Sequence, residues 1–126
     1  MTRLTGRAYG RWSRKRGRAA EERVYARMDD VVASVEWLTA WRRSTPEEDA
    51  RGIDAVATSD VGELHLQVKA SGRNASRAVY VERGIGVIVA NEHYSDWRIE
   101  ADIRETLSGL RARRLAATEL AAKAGT

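Results

Sequence analysis

The spacing of apolar residues changes along the chain, and each change marks an element. Val24, Met28 and Val31 or Val32 recur at intervals of three and four after a stretch at 19–28 rich in helix formers, which predicts a first helix. Val35, Trp37, Thr39 and Trp41 then alternate with Glu36, Leu38, Ala40 and Arg42, and this period of two predicts a strand at about 34–42. Residues 44–52 hold the only proline, Pro46, and a block of acids, and read as an exposed loop. Strands follow at about 52–58 and 63–70; Ser59-Asp60-Val61-Gly62 between them suits a tight turn, so the two form a hairpin. Residues 72–83 are polar and read as a short helix or loop, and the apolar run at 86–90 reads as a buried strand. From the N-cap candidates Ser95 and Asp96, Ile99, Ile103, Leu107 and Leu110 keep helical spacing on to Leu115 and Leu120. The predicted fold class is α/β: α, β, β, β, short α, β, then a long C-terminal helix, around a central mixed sheet.

Composition narrows the class. A chain of 126 residues fits one domain, and no apolar run approaches the ~20 residues of a membrane span. The basic N-terminus is not followed by the apolar segment and cleavage site of a secretory signal, so a soluble, cytoplasmic protein with no membrane partner is expected. With no Cys and only His65 and His93, thiolate chemistry and a His-rich metal site are excluded. Charge divides the chain at about residue 16, into a basic, flexible arm at 1–16 and a single domain at 17–126. Arg3, Arg7, Arg11, Arg14, Lys15, Arg16 and Arg18 precede any acid, giving the first 20 residues +7, while the remainder carries 15 basic and 18 acidic residues. Tyr9 and Trp12 are interleaved with these cations, a composition suited to nucleic acid, with a solubilising tail as the plainer reading.

The hairpin carries the candidate chemistry. His65, Gln67, Lys69 and Ser71 share one face of a strand, while Leu64, Leu66 and Val68 point to the core. Closure about residues 60 and 61 sets Asp54 opposite Gln67 and near Lys69. Carboxylate and amide oxygens suit a hard cation such as Mg²⁺, and a neighbouring Lys can orient water or offset charge building on phosphorus. A simple salt bridge between Asp54 and Lys69 is the alternative. Composition bears on the choice: the chain uses Arg 19 times and Lys three times, and Gln67 is its only Gln. Lys, a compact charge, suits work on a nucleophile in a way that Arg does not.

These residues, with Gly17 and Glu21 on the first helix, resemble the PD-(D/E)XK nuclease superfamily, whose core carries an Asp on the second strand and an acid-x-Lys on the third. The resemblance spans residues 17 to about 92, and Arg51 to Val56 with Gln67 to Ser71 look most like the Mrr-like endonucleases and archaeal Holliday-junction resolvases. It implies a restriction-endonuclease-like core and a Mg²⁺- or Mn²⁺-dependent DNA endonuclease, with branched or junction DNA among its candidate substrates. It further implies that Asp54, Glu21, Gln67 and the Val68 carbonyl hold the metal, that Lys69 positions the attacking water, and that the active form is a homodimer. Glu22 replaces Glu21 if the helix phase is off by one. The sequence departs from the pattern in Gln67, where the third-strand acid belongs, and in Ile53, where Pro is common. A non-catalytic nucleic-acid-binding or assembly protein on the same fold is therefore the rival class.

By this reading Arg7, Arg11, Arg14, Lys15, Arg16, Arg18 and Ser71 contact DNA, Ser71 having the alternative of a plain strand-end hydroxyl. His65 reads as a solvent-facing strand residue, His93 as a loop residue, and Asp49, Asp60 and Glu63 as loop and turn acids, with Asp49 near enough to Asp54 to support it. Trp37 and Trp41 fit core or dimer packing. Arg111, Arg113 and Arg114 either extend a DNA-binding face or complement the helix C-terminal dipole. Neither Asp54 nor Lys69 is expected in the core.

Overall fold

The computed structural model describes residues 6–72 and 77–125, the side chains of 6–14, 77 and 78 excepted. In order, the elements are α1 (Gly6–Ser34), β1 (Leu38–Arg43), α2 (Pro46–Ala50), β2 (Ala55–Ser59), β3 (Gly62–Lys69), α3 (Arg77–Glu82), β4 (Ile85–Val89) and α4 (Asp96–Ala124). The architecture is α/β with a mixed four-stranded sheet in the order β1-β2-β3-β4. The first three strands are antiparallel neighbours, and β4, which returns after α3, lies parallel to β3.

Two apolar clusters fix the layers. Ala20, Val24, Met28 and Val31 form the buried stripe of α1, and Ile99, Ile103 and Leu107 that of α4; both cover the sheet face that presents Ala55, Ala57, Leu64, Leu66, Val68 and Ile88. Val56, with Ile53 and Ile85, buries into a smaller cluster closed by Tyr80 of α3. The two long helices run in the same direction: Arg23 meets Asp96 at 3.1 Å, Arg27 meets Glu100 at 3.7 Å, and Arg104 donates to Ser34 Oγ at 2.9 Å. The first half of α1 therefore precedes the level at which α4 begins, and residues 112–124 of α4 are exposed beyond the end of α1.

Several boundaries differ from the sequence reading, each for a local reason. The helix predicted from about residue 19 begins at Gly6, so the basic segment continues α1 across residue 16 with no break in the helix. Its other end runs to Ser34, and the backbone N–H of Val35 still bonds the Val31 carbonyl at 3.1 Å; β1 therefore starts at Leu38 and not at 34. The predicted loop at 44–52 contains α2, because Thr45 and Glu48 form a reciprocal capping box with Pro46 in the first turn. Glu48 is buried and fork-bound by Arg42 at 2.6 and 3.0 Å, which orders the segment without a partner. The hairpin register is the expected one, with Ala55 opposite Leu66 and Val56 opposite His65. Ser95 caps α4 by accepting the Arg98 N–H at 3.1 Å.

The packing of β4 under α4 leaves no room for a side chain at residue 86. A Cβ on Gly86 would lie 2.5 Å from Thr106 Cγ2 and 3.0 Å from Leu110 Cδ1. Gly86→Ala should lower the free energy of unfolding by about 1–3 kcal/mol, as overpacked cores do, with a reduced urea midpoint and an unchanged slope.

Candidate functional site

The hairpin positions the site. Gly62, at φ +102°, and the Ser59 hydroxyl, which donates to the Gly62 carbonyl at 2.8 Å, close the turn. With that register, the residue before β2 reaches the end of β3: the Asp54 N–H donates to the Leu66 carbonyl at 2.7 Å, and Asp54 Oδ2 accepts the Val68 N–H at 2.7 Å. Asp54 is only 4% exposed. This corrects the expectation that it stands outside the core, and the reason is α1, whose Tyr25 hydroxyl donates to the Asp54 carbonyl at 3.1 Å.

Glu21 enters from α1 four residues before Tyr25 and lies near enough to Asp54 for each carboxyl to feel the other. Burial, and then the neighbouring charges of Asp54 and Asp49, push the Glu21 carboxyl up to about 7. Burial also raises Asp54, against the opposing pull of the Val68 N–H and the Lys69 charge. Both acids thus favour their neutral forms more than isolated carboxyls do. Glu22 pairs instead with Arg43 at 3.1 Å, and Glu21 is the α1 acid that interacts with Asp54. Asp49 contributes negative charge to both acids.

Gln67 and Lys69 occupy alternate, half-buried positions of β3. One terminal atom of the Gln67 amide lies against the Gly52 carbonyl and 3.2 Å from Asp54 Oδ2, both acceptors, so that atom is the NH₂ group. The amide oxygen then takes the other position, 3.5 Å from the Val68 carbonyl oxygen. The Lys69 ammonium lies 5.0 Å from the centroid of the Tyr80 ring. Its charge acts on Asp54, though no ion pair between the two is formed among the described residues.

The remaining predicted residues separate clearly. Lys15 and Arg18 are exposed and Arg16 is half-buried on α1; positions 7, 11 and 14 lie on the same helix, and their side chains fall outside the described residues. Ser71 is half-buried just beyond β3. Arg111 holds Asp60 at 2.7 Å, and Arg114 donates to the carbonyls of Val61 and Glu63 at 3.2 and 2.9 Å, so these arginines brace the hairpin turn. Trp41 stacks on Tyr25 and donates to Asp29 at 2.6 Å. Sequence reasoning missed Tyr25 and Tyr80, both of which meet the site only through packing between elements.

The donor set is two carboxyls, one amide oxygen and one backbone carbonyl; among the described residues no three His, Cys, Asp or Glu side chains group to hold a metal ion. No described helix is long and apolar enough to cross a membrane. The chain matches no family model, no curated protein and no solved structure.

The raised Glu21 carboxyl makes stability depend on pH. The folded protein keeps a proton up to about 7 that the unfolded chain releases near the ordinary 4.5, so this contribution is full below 4.5 and is lost as pH rises through about 7. Asp54 shifts in the same direction. In EDTA, urea unfolding should show wild type losing stability between pH 5 and pH 8 relative to Glu21→Gln, whose amide cannot titrate. Parallel pH curves for the two proteins would mean that Glu21 and Asp54 do not meet.

Proposed function

We propose that the chain is a metal-dependent nuclease on a restriction-endonuclease-like core, hydrolysing phosphodiester bonds in DNA. One observation carries this reading: the buried Asp54, the half-buried Glu21 of α1 and Lys69 of β3 come together at the hairpin, with Glu21 midway along a helix whose first half bears the arginines. Positions 7, 11, 14 and 18 of α1 recur at intervals of four, three and four, and Glu21 and Tyr25 continue the same series. A stripe on one helix face thus changes from cationic residues to a site acid. From Arg7 to Glu21 it covers about 21 Å at a helical rise of ~1.5 Å per residue, the length of roughly six base pairs.

The oxygen donors fit Mg²⁺ or Mn²⁺, which favour carboxylate and carbonyl ligands and tolerate few protein groups. Asp54, Glu21, the Gln67 amide oxygen and the Val68 carbonyl are the residues that would hold the ion. When bound, such an ion supplies positive charge against the scissile phosphate and acidifies water. Lys69 donates its N–H groups to the attacking water and to the phosphate oxygen on which charge builds. The attacking water gives up a proton to solvent as the new P–O bond forms and the bond to the leaving deoxyribose oxygen breaks, and that oxygen takes up a proton from solvent. With one site per chain, cutting both strands of a duplex calls for a second copy, and a homodimer belongs to the proposal.

One observation favours the non-catalytic reading. The Gln67 NH₂ group donates to Asp54 Oδ2 at 3.2 Å, and among the described residues no third acid completes the ligand set, so a weakened site that only binds nucleic acid is the second reading.

Incubation of duplex, flap, four-way-junction and single-stranded DNA with Mg²⁺, Mn²⁺ or EDTA separates the two. Cleavage should require the metal, and Lys69→Ala should lower its rate by at least about 100-fold while the melting temperature stays within a degree or two. No product from any substrate would leave only the binding role, and metal-independent products would overturn the metal-dependent reading. Replacing Arg7, Arg11, Arg14 and Arg18 with Ala should flatten the slope of log affinity against log salt by about 0.9 for each duplex phosphate that the variant no longer neutralises. An unchanged slope would place the DNA elsewhere.

A further inference from the structure

We infer that Tyr80 is a positioning residue for Lys69, its ring forming the seat that holds the ammonium in the site. The inference rests on the nuclease reading above and deepens it, since Tyr80 lies outside the motif residues. It is carried by the way one side chain touches both halves of the site. On one side the Lys69 ammonium lies 5.0 Å from the ring centroid, within the range of a cation–π contact. On the other the ring lies against Gly52, where a Cβ would sit 2.6 Å from Tyr80 Cε1 and 3.4 Å from its hydroxyl oxygen. Gly52 also takes a left-handed backbone conformation, φ +83°, so a side chain there is excluded twice over. Its carbonyl accepts the Gln67 amide that in turn donates to Asp54. Tyr80 is anchored for this task by Ile53, Val56 and Ile85, the small cluster on which α3 sits.

The physical need for such a seat follows from the charges. Lys69 carries a flexible four-carbon stem beside two acids, and an unrestrained ammonium would collapse onto Asp54 and be lost to the water and the phosphate. A π face attracts the ammonium without taking its protons in a directed ion pair, which leaves its N–H groups available to substrate. The requirement is for an aromatic face at this position and not for the phenol hydroxyl.

The test combines cleavage kinetics with proton NMR of Lys69 in the full-length protein. Wild type and Tyr80→Phe should show Lys69 Hε resonances shifted upfield by the ring current and similar kcat. Tyr80→Leu should return these resonances to the ordinary lysine position and lower kcat by about tenfold with KM for DNA unchanged. Should Tyr80→Leu fail to fold, trifluorophenylalanine at position 80 preserves the volume and weakens the π face, and the same loss of kcat is expected. Lys69 resonances at the ordinary position in wild type would overturn the seat, and a Tyr80→Leu or trifluorophenylalanine protein with wild-type kcat would overturn its role. A wild-type protein that cleaves no DNA in any metal would overturn the nuclease reading and with it this role for Tyr80, whereas a cleaving wild type with an indifferent position 80 would overturn the Tyr80 inference alone.

Discussion

The hydrogen bond from the Val68 N–H to the buried Asp54 carboxylate, 2.7 Å long, is the interaction on which the rest of the arrangement depends. It binds the start of β2 to the end of β3 beyond the last regular pair of the hairpin. A carboxylate only 4% exposed is costly to desolvate, and this amide and the Gln67 NH₂ group offset part of that cost. Every other feature of the site is set relative to it. Glu21 approaches from the helix layer, Gln67 and Lys69 from β3, and Tyr80 from the opposite side of the sheet.

Much of this was legible in the sequence, for a definite reason. Side-chain alternation in a strand has a period of two, and a tight turn has few registers, so Ser59 to Gly62 was enough to place Asp54 across from Gln67. The α1 stripe of Val24, Met28 and Val31 likewise placed Glu21 at its margin. The chain obscured what depends on competition between neighbouring elements. Val35 and Trp37 alternate as a strand would, yet α1 extends to Ser34 and leaves them in the connection to β1. The acids at 47–49 read as solvated, although Thr45, Pro46 and Glu48 spell a helix start and Arg42 supplies the partner that buries Glu48. Tyr80 carries no local signal at all, because its contacts with Lys69 and Gly52 arise only when α3 folds back on the sheet.

Charge is distributed by the same geometry. At one end of the molecule the arginines of α4 are consumed in bracing the hairpin, Arg111 on Asp60 and Arg114 on the Val61 and Glu63 carbonyls. At the other, cationic positions of α1 run in series toward Glu21. The chain's net charge of +4 is thus unevenly used, with the α4 arginines tied into the hairpin and the basic positions of α1 gathered toward its start. Two neighbouring carboxyls, Asp54 buried and Glu21 half-buried, repel one another when both are charged, and a proton or a metal ion between them relieves that repulsion.

That relief of repulsion is open to direct measurement by calorimetric titration of Mn²⁺ into the full chain near pH 6.5, in two buffers of different ionisation enthalpy. If Glu21 and Asp54 share a proton that an ion displaces, one Mn²⁺ should bind per chain with measurable proton release. Glu21→Gln should weaken binding by at least about tenfold and abolish most of that release. Equal affinity and equal proton release in wild type and Glu21→Gln would contradict the account, since the ion would then bind somewhere other than the Glu21–Asp54 pair.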